Sequence, residues 1–507
     1  MNASMFPWMI GLPLGASPLV YLAGRLGAHK DKLNEHSWLV RGISLLALLV
    51  TWVLFIVSWS GFVVGGANLQ FNLESIWLHV DGLSFLLAAM TLGLGTLVVL
   101  FSWPYIAEEV GEEKFYAMLL AMIGIMIGLG CTNDLFNLWM WFEAMAVSSY
   151  LLVAFYRERP ASLEAGAKYL VQSATGSVLV LLGIALVLAN TGTLALDQIQ
   201  RQVSALSSIP TGLLLAGALF IIGFGVKVAF VPLHTWLPDA HSQAPSGISA
   251  MLSGVVIEAG LVAMLRALSA LGGFAVSWGT LLLAFGALNM FFGNLMALRQ
   301  TQVKRMLAYS SLSHMGYILL GLGIALYDGN PAGAQGAAFH LFNHTLMKGL
   351  AFLAVGALMF ALLDQHGNHR PLEVNDLAGA ARKYPLVGLT LSIALLALGG
   401  LPPLAGFMSK WQIFVAGFQG NNGWLIGLVI FAALNSVLSL AYYAPIVNVM
   451  YRRKMGESVE HGAPIPLAMN IPLVILAAAI VVIGLWPSIM NWLTEPAAQA
   501  FLSMFGK

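Results

Sequence analysis

Apolar runs of roughly twenty residues recur from one end of this chain to the other, and the repetition leaves the backbone few options. Inside a bilayer there is no water to pair N–H and C=O groups. A segment that crosses must therefore be a helix or a strand of a closed barrel. These runs are far too long for barrel strands, so the expected fold is an all-α polytopic membrane protein. Composition agrees: of 507 residues, 59% are hydrophobic and only 9% charged, with a mean hydropathy of +0.84. The runs fall at 5–24, 38–60, 80–102, 115–131, 135–155, 163–190, 211–231, 244–270, 276–298, 303–326, 335–363, 384–420, 424–450 and 471–493, fourteen in all. No connection is long enough for an independent soluble domain. The first run contains Pro7, Pro13 and Pro18 and lacks a basic leader, so it reads as a retained helix.

Net charge is +1, which gives no reason to expect nucleic acid. The single cysteine, Cys131, excludes an internal disulfide and a cysteine cluster. No dinucleotide fingerprint, P-loop or haem-attachment motif is present. Basic residues gather in alternate connections: Arg25, Lys30, Lys32 and Arg41; Lys114; Arg157 and Arg159; Arg299, Lys304 and Arg305; Arg370, Arg382 and Lys383; Arg452, Arg453 and Lys454. The opposite side has Arg201, Arg266 and Lys507. The positive-inside rule then places both termini on the non-cytoplasmic side.

Two segments are interrupted. Residues 231–246, VPLHTWLPDAHSQAPS, bring three prolines and a polar cluster into an apolar stretch, and residues 398–411, LGGLPPLAGFMSKW, bring paired glycines and prolines. Broken backbone at membrane depth survives only under protein or beside a wet cavity. Breaks at corresponding places in two halves point to an inverted-repeat transporter. The halves also align weakly at an offset of 170, with GAKYLVQSAT (166–175) against GAAFHLFNHT (336–345). The expected divisions are 1–110, N-terminal helices; 111–270 and 271–450, the two repeats; and 451–507, a C-terminal helix.

Charges inside the runs carry the functional reading. Lys227 lies deep in an apolar run, and Glu143, Glu258, Lys348 and Lys410 do likewise. An intramembrane charge is expensive and marks a functional site by default. Glu143 has no lysine near it in sequence, and Lys227, just before the first break, is the obvious partner. The distance of a carboxylate changes a lysine's proton affinity, so a carboxylate that swings makes the lysine take up and release a proton. The alternative is a static ion pair between helices. His340, His344 and Lys348 are spaced i, i+4, i+8 and share one helical face, a candidate proton wire. Metal binding is the less favoured reading, because no carboxylate or thiol completes that stripe. Lys410 follows the second break as Lys227 precedes the first. Glu258 reads as a relay group or a counter-ion. His234, Asp239 and His241, in the first break, read first as ties for open backbone and second as a water gate, with His234 and His241 also relay candidates. His314 is a relay candidate or a packed polar residue, and Lys168 a snorkelling interfacial lysine.

These residues together resemble a known family. PLHTWLPDAHSQAP (232–245) with the preceding Lys227, Glu143, KRMLAYSSLSHMGY (304–317) and PPLAGFMSK (402–410) look like the proton-pumping membrane subunits of respiratory complex I. The same family includes the large subunits of Mrp-type cation/proton antiporters and of membrane-bound hydrogenases. The resemblance covers nearly the whole chain. It implies fourteen helices with two inverted five-helix repeats, a Glu143–Lys227 pair, a central lysine/histidine relay and a terminal charge at Lys410. It implies no redox cofactor in this chain, with flavin, iron–sulfur clusters and quinone left to partner subunits. The implied partners are homologous antiporter-like subunits, small membrane subunits and a peripheral oxidoreductase arm. The implied place is a prokaryotic inner membrane.

Two departures matter. Glu258 stands where the family usually has a lysine in its eighth helix, which makes Lys348 a candidate partner for it. Lysine at 410 looks more like chain N, chain L or the antiporter D subunit than like chain M. The long lateral helix expected of chain L is missing. The reading is thus a proton-translocating subunit of a complex I-like assembly. An antiporter or hydrogenase subunit is the alternative, and a non-transporting membrane anchor a third.

Overall fold

The computed structural model describes residues 5–26, 37–65, 69–73, 76–107, 109–206, 208–272, 275–363, 370–420 and 422–507. Lys30 and Lys32, used above for orientation, lie outside the described residues.

The chain opens with α1 (Phe6–Leu26) and α2 (Ser37–Gly65), followed by an antiparallel hairpin of β1 (Leu69–Leu73) and β2 (Ile76–Val80). The first repeat region contains α4 (Glu112–Gly130), α5 (Leu135–Val153) and α6 (Pro160–Thr191), preceded by α3 (Gly82–Tyr105). A short surface helix, α7 (Leu196–Ser204), leads to α8 (Thr211–Val228) and α9 (Trp236–Gln243), the two halves of the first broken segment. Next, α10 (Ser246–Met251) and α11 (Ile257–Ser269) are joined by a π-helical turn at Leu252–Val256. The second set is α12 (Ala275–Ala297), α13 (Val303–Asp328) and α14 (Pro331–Leu362), then α16 (Pro385–Gly399) and α17 (Ala405–Gln419) after the single turn α15 (Ala380–Lys383), and α18 (Gly423–Arg452).

Twelve helical stretches among the described residues are long and apolar enough to span a membrane. Each falls on an expected segment. Of the other two segments, 135–155 is α5, whose Asn137, Glu143, Ser148 and Ser149 dilute its hydropathy, and 384–420 is divided into α16 and α17. The expected count of fourteen is therefore not reached by length and hydropathy alone. The region 451–507, expected as one helix, holds α19 (Glu457–Glu460), α20 (Leu467–Leu485) and α21 (Asn491–Met504). Pro487 follows Trp486 directly, and the chain turns there so that α21 lies against α3 and α14.

Burial sets the layers. The stretch Ser246–Ser269 is wholly buried and α13 and α14 nearly so, whereas α2, α6, α18 and α20 show leucine and valine outward. Lipid supplies no hydrophobic drive between helices, so close packing must hold them. Glycines provide it: a Cβ on Gly176 of α6 would stand 2.6 Å from the Gly223 carbonyl of α8, and one on Gly333 of α14 would stand 2.6 Å from the Gly321 carbonyl of α13.

One buried ion pair fastens the hairpin side. Asp81 caps α3 and accepts from Ser84 N (2.9 Å), while Arg266 Nη2 of α11 donates to both Asp81 oxygens at 3.0 and 3.1 Å. The same nitrogen donates to the Gly130 carbonyl at the end of α4. His79 N to Cys131 O (2.6 Å) and Asn133 N to Trp77 O (3.0 Å) tie in the hairpin. Burial pushes the Asp81 carboxyl up, but Arg266, His79 and the Ser84 N–H outweigh it and hold the group below its ordinary value. A depressed folded-state value means the pair stabilises fully above the unfolded-state value, and that the contribution is lost as pH falls through the folded one. Arg266→Ala leaves Asp81 buried without its counter-charge and is expected to cost about 3–5 kcal/mol in thermal unfolding at neutral pH. The gap to wild type should narrow on acidification. An unchanged melting temperature would show the pair to be dispensable.

Candidate functional site

The first break begins where α8 stops at Val228, because Ala229 adopts left-handed backbone (φ 59°, ψ 47°). That conformation is unusual for a residue with a Cβ and needs its surroundings to fix it. Side chains of neighbouring helices take up the opened backbone groups. Trp236 Nε1 donates to Val226 O (2.7 Å), Val231 N donates to Asn289 Oδ1 (2.9 Å), and Trp236 N donates to Gln172 Oε1 (3.2 Å). Asp239 accepts from Lys168 (3.0 Å) and Arg305 (2.6 Å), which ties α9 to α6 and α13. Lys168 also meets Glu164 at 2.8 Å.

Lys227 sits in the last turn of α8, fully buried, where the carbonyl end of a helix favours a cation. Its ammonium donates to Tyr169 Oη at 2.5 Å and lies 4.4 Å from the Tyr169 ring centre. Tyr169 stacks on Trp236 at 3.9 Å, so the cation rests in an aromatic cradle. The expected Glu143–Lys227 contact is not a direct ion pair. No salt bridge joins them within 4 Å, and the Glu143 Oε2 is buried without a hydrogen-bond partner.

The second break is built differently. The end of α16 turns at Gly400, in left-handed backbone (φ 78°), and Lys410 reaches back from α17 to cap it. Its Nζ donates to Leu398 O and to Ser436 Oγ, both at 2.9 Å. The same ammonium lies 4.6 Å from the ring of Tyr317. Each broken segment thus carries a buried lysine that faces a tyrosine ring.

Between the breaks runs a line of polar side chains. Glu258, two residues after the π-helical turn, meets His344 Nδ1 at 2.7 Å and accepts from Thr345 Oγ1 at 3.1 Å. The His344 ring stacks on His314 at 5.2 Å. His314 Nδ1 meets His340 Nε2 at 3.1 Å, and His340 Nδ1 meets Ser409 Oγ at 2.8 Å, one residue before Lys410. All four ionisable groups from Glu258 to His340 are buried. Three histidines, a carboxylate and a lysine therefore follow one another across α11, α14, α13 and α17. Each ring has two nitrogens, so a chain of them can take a proton at one and release one at the other.

Lys348 is not part of this line. It donates to Leu307 O at 2.8 Å and to Ser310 Oγ, so the expected Glu258–Lys348 pairing is replaced by Glu258–His344. His344 lies one helical turn before Lys348 and reaches the carboxylate first. His241 is buried, stacked on Phe352 at 4.7 Å, with neither ring nitrogen hydrogen-bonded. His234 is half-buried beside Tyr309. Neither joins the line, and Asp239, not a histidine, does the tying at the first break. Among the described residues no three His, Cys, Asp or Glu side chains converge as a metal site requires. Sequence reasoning passed over Tyr169, Tyr317, Thr345 and Ser409. Both tyrosines lie inside motifs already singled out, but nothing in the local pattern says that they face a lysine.

The profile of the family described as NADH:quinone oxidoreductase/Mrp antiporter, TM, matches residues 132–439, which include both breaks and the whole polar line. This chain belongs to that family. It is 32% identical to F(420)H(2) dehydrogenase subunit N of Methanosarcina mazei over 496 residues, 97% of this chain and 98% of the relative. It is 33% identical to NADH-quinone oxidoreductase subunit N of Desulforamulus reducens, over 90% of this chain and 91% of that one. Among solved structures, a chain of the archaeal membrane-bound sulfane sulfur reductase superposes with a TM-score of 0.83 at 29% identity, covering 98% of this chain and 99% of that one.

Tyr169→Phe removes the acceptor from a buried ammonium and is expected to destabilise the chain by about 1–3 kcal/mol. Chemical unfolding in detergent measures it. No change would place another acceptor at Lys227.

Proposed function

We propose that this chain translocates protons across the membrane as a subunit of a multisubunit complex, along a row made by Glu143, Lys227, Glu258, His344, His314, His340 and Lys410. The succession of contacts from Glu258 through His344, His314 and His340 to Ser409, the residue before Lys410, carries this reading, with ring stacking and no hydrogen bond between His344 and His314. A static scaffold has no use for three neighbouring buried histidines between a carboxylate and a lysine. Lys227, held by Tyr169 with Glu143 nearby but unbonded, is poised for the alternation in which a moving carboxylate loads and unloads a lysine. Lys348, His234 and His241 stand beside the row, as candidates for supplying it from the face with the basic connections.

In this reading that face is cytoplasmic and both termini lie on the other side. The chain carries no redox group of its own and takes its drive from partners. Homologous antiporter-like subunits and small membrane subunits surround it, and a peripheral oxidoreductase arm supplies energy, as the names of the relatives suggest. A cation/proton antiporter is the second member of the family to test against.

Proton uptake by proteoliposomes containing the assembled complex is the test. Lys227→Ala and Glu143→Ala are expected to reduce pumping to the level of a leak control while the complex still assembles. Lys410→Glu should retain part of the flux, since a titratable group remains at the second break. Loss of the assembled complex in the first two variants would mean a scaffold role. Full loss in Lys410→Glu would mean that the position needs a cation. Sodium-dependent exchange without any redox substrate would move the chain to the antiporter branch.

A further inference from the structure

The face with the basic connections holds a cavity of about 430 Å³ beside the start of α16. Its lining is apolar at Leu386, Val387, Pro464 and Ile465 and polar at Lys383, Tyr384 and Asn470. The cavity lies at the level where α16 begins at Pro385 and α20 at Leu467, which is where spanning elements pass from the interface into hydrocarbon. Below it, Leu386 and Leu389 of α16 and Leu467, Ile471 and Val474 of α20 are exposed. These two helices pack together, so the apolar lining runs on into a bilayer-facing wall.

The polar lining is chemically selective. Lys383 Nζ donates to the carbonyls of Glu460 and Gly462, both at 2.7 Å, which uses two of three ammonium protons and leaves one for a ligand. Tyr384 Oη donates to Ala463 O at 2.9 Å, which fixes the segment that closes the cavity. The Oδ1 of Asn470 is buried without a hydrogen-bond partner. Arg382 is exposed beside Lys383, and Arg452, Arg453 and Lys454 are exposed at the end of α18. That end is joined to the cap of α15 through Gly379 N to Val449 O at 3.1 Å. Glu373, Glu457 and Glu460 are the exposed acids nearby, so five exposed basic groups stand near three acidic ones, and of the five Lys383 lines the cavity. A pocket with an apolar lining open to the bilayer and basic groups at headgroup level suits one kind of molecule.

We propose that this cavity binds an anionic phospholipid, with its phosphate at Lys383 and Arg382, a headgroup hydroxyl at Asn470, and its acyl chains along Leu386, Leu389, Ile471 and Val474. A free phosphate would leave the apolar lining uncovered, and an uncharged lipid would leave the basic groups unmatched. The site lies apart from the polar row, so its occupant steadies the joint between α16, α20 and the end of α18 without touching the transferred proton.

The experiment places a photo-reactive benzoylphenylalanine at Ile465 in the assembled complex, reconstituted in bilayers of equal phosphatidylglycerol and phosphatidylcholine. A second probe at the outward Leu181 of α6 serves as the reference. Phosphatidylglycerol is expected to dominate the adducts at 465 but not at 181. The preference should fall about fivefold for each charge removed in Arg382→Gln and Lys383→Gln. Arg382 is exposed, so its variant carries the test even where Lys383→Gln loosens the 460–462 segment. Equal labelling of both lipids at 465, a preference unchanged in Arg382→Gln, or adducts only with a neighbouring protein chain would each overturn the proposal.

Discussion

A buried ammonium must have acceptors, and in a helix bundle inside lipid the backbone offers few. Carbonyls within a regular helix are already paired once, although Lys348 shares the Leu307 carbonyl of α13. Breaking a helix is one way to free more. At the second break this happens directly, with Lys410 donating to the Leu398 carbonyl that the turn at Gly400 leaves open. At the first break the freed groups go to Trp236, Asn289 and Gln172, while Lys227 is held by Tyr169. The breaks and the lysines are thus one device. The rest of the architecture serves to cover it, with helices closely packed through glycine contacts.

The two ends of the device are not copies of each other. The first lysine has an aromatic cradle and a carboxylate at a distance, whereas the second has carbonyl and hydroxyl acceptors. Between them the histidines stack closely, and the one carboxylate, Glu258, is satisfied by His344 and Thr345. The buried Glu258 is therefore accommodated by a histidine partner on α14. That partner is neutral in one protonation state and cationic in the other, so the pair tolerates a proton arriving or leaving.

Much of this was legible in the sequence. The apolar runs located the spanning helices because burial in lipid demands them. Pro232, Pro402 and Pro403 located the breaks because proline lacks a donor. The charges inside apolar runs pointed to buried polar side chains, because lysine in hydrocarbon needs partners, although Lys348 stands outside the histidine line. The pairings were not legible. Glu258 to His344 spans 86 residues and depends on how α11 meets α14, and Tyr169 meets Lys227 only once α6 lies beside α8. The β1–β2 hairpin and α21 escaped notice for a related reason. Both are stabilised by distant partners, the hairpin by the strand-like stretch after α4 and α21 by α3, rather than by a periodic pattern of their own.

The claim that joins these observations is that protons cross through the histidine line. The most direct measurement is proton flux in proteoliposomes after His314 is replaced by phenylalanine. That change fills the same space between His344 and His340 and carries no exchangeable nitrogen. The account predicts an assembled complex with flux reduced to background, and recovery when histidine is restored. Undiminished flux in an assembled His314→Phe complex would contradict it and move the path off this line.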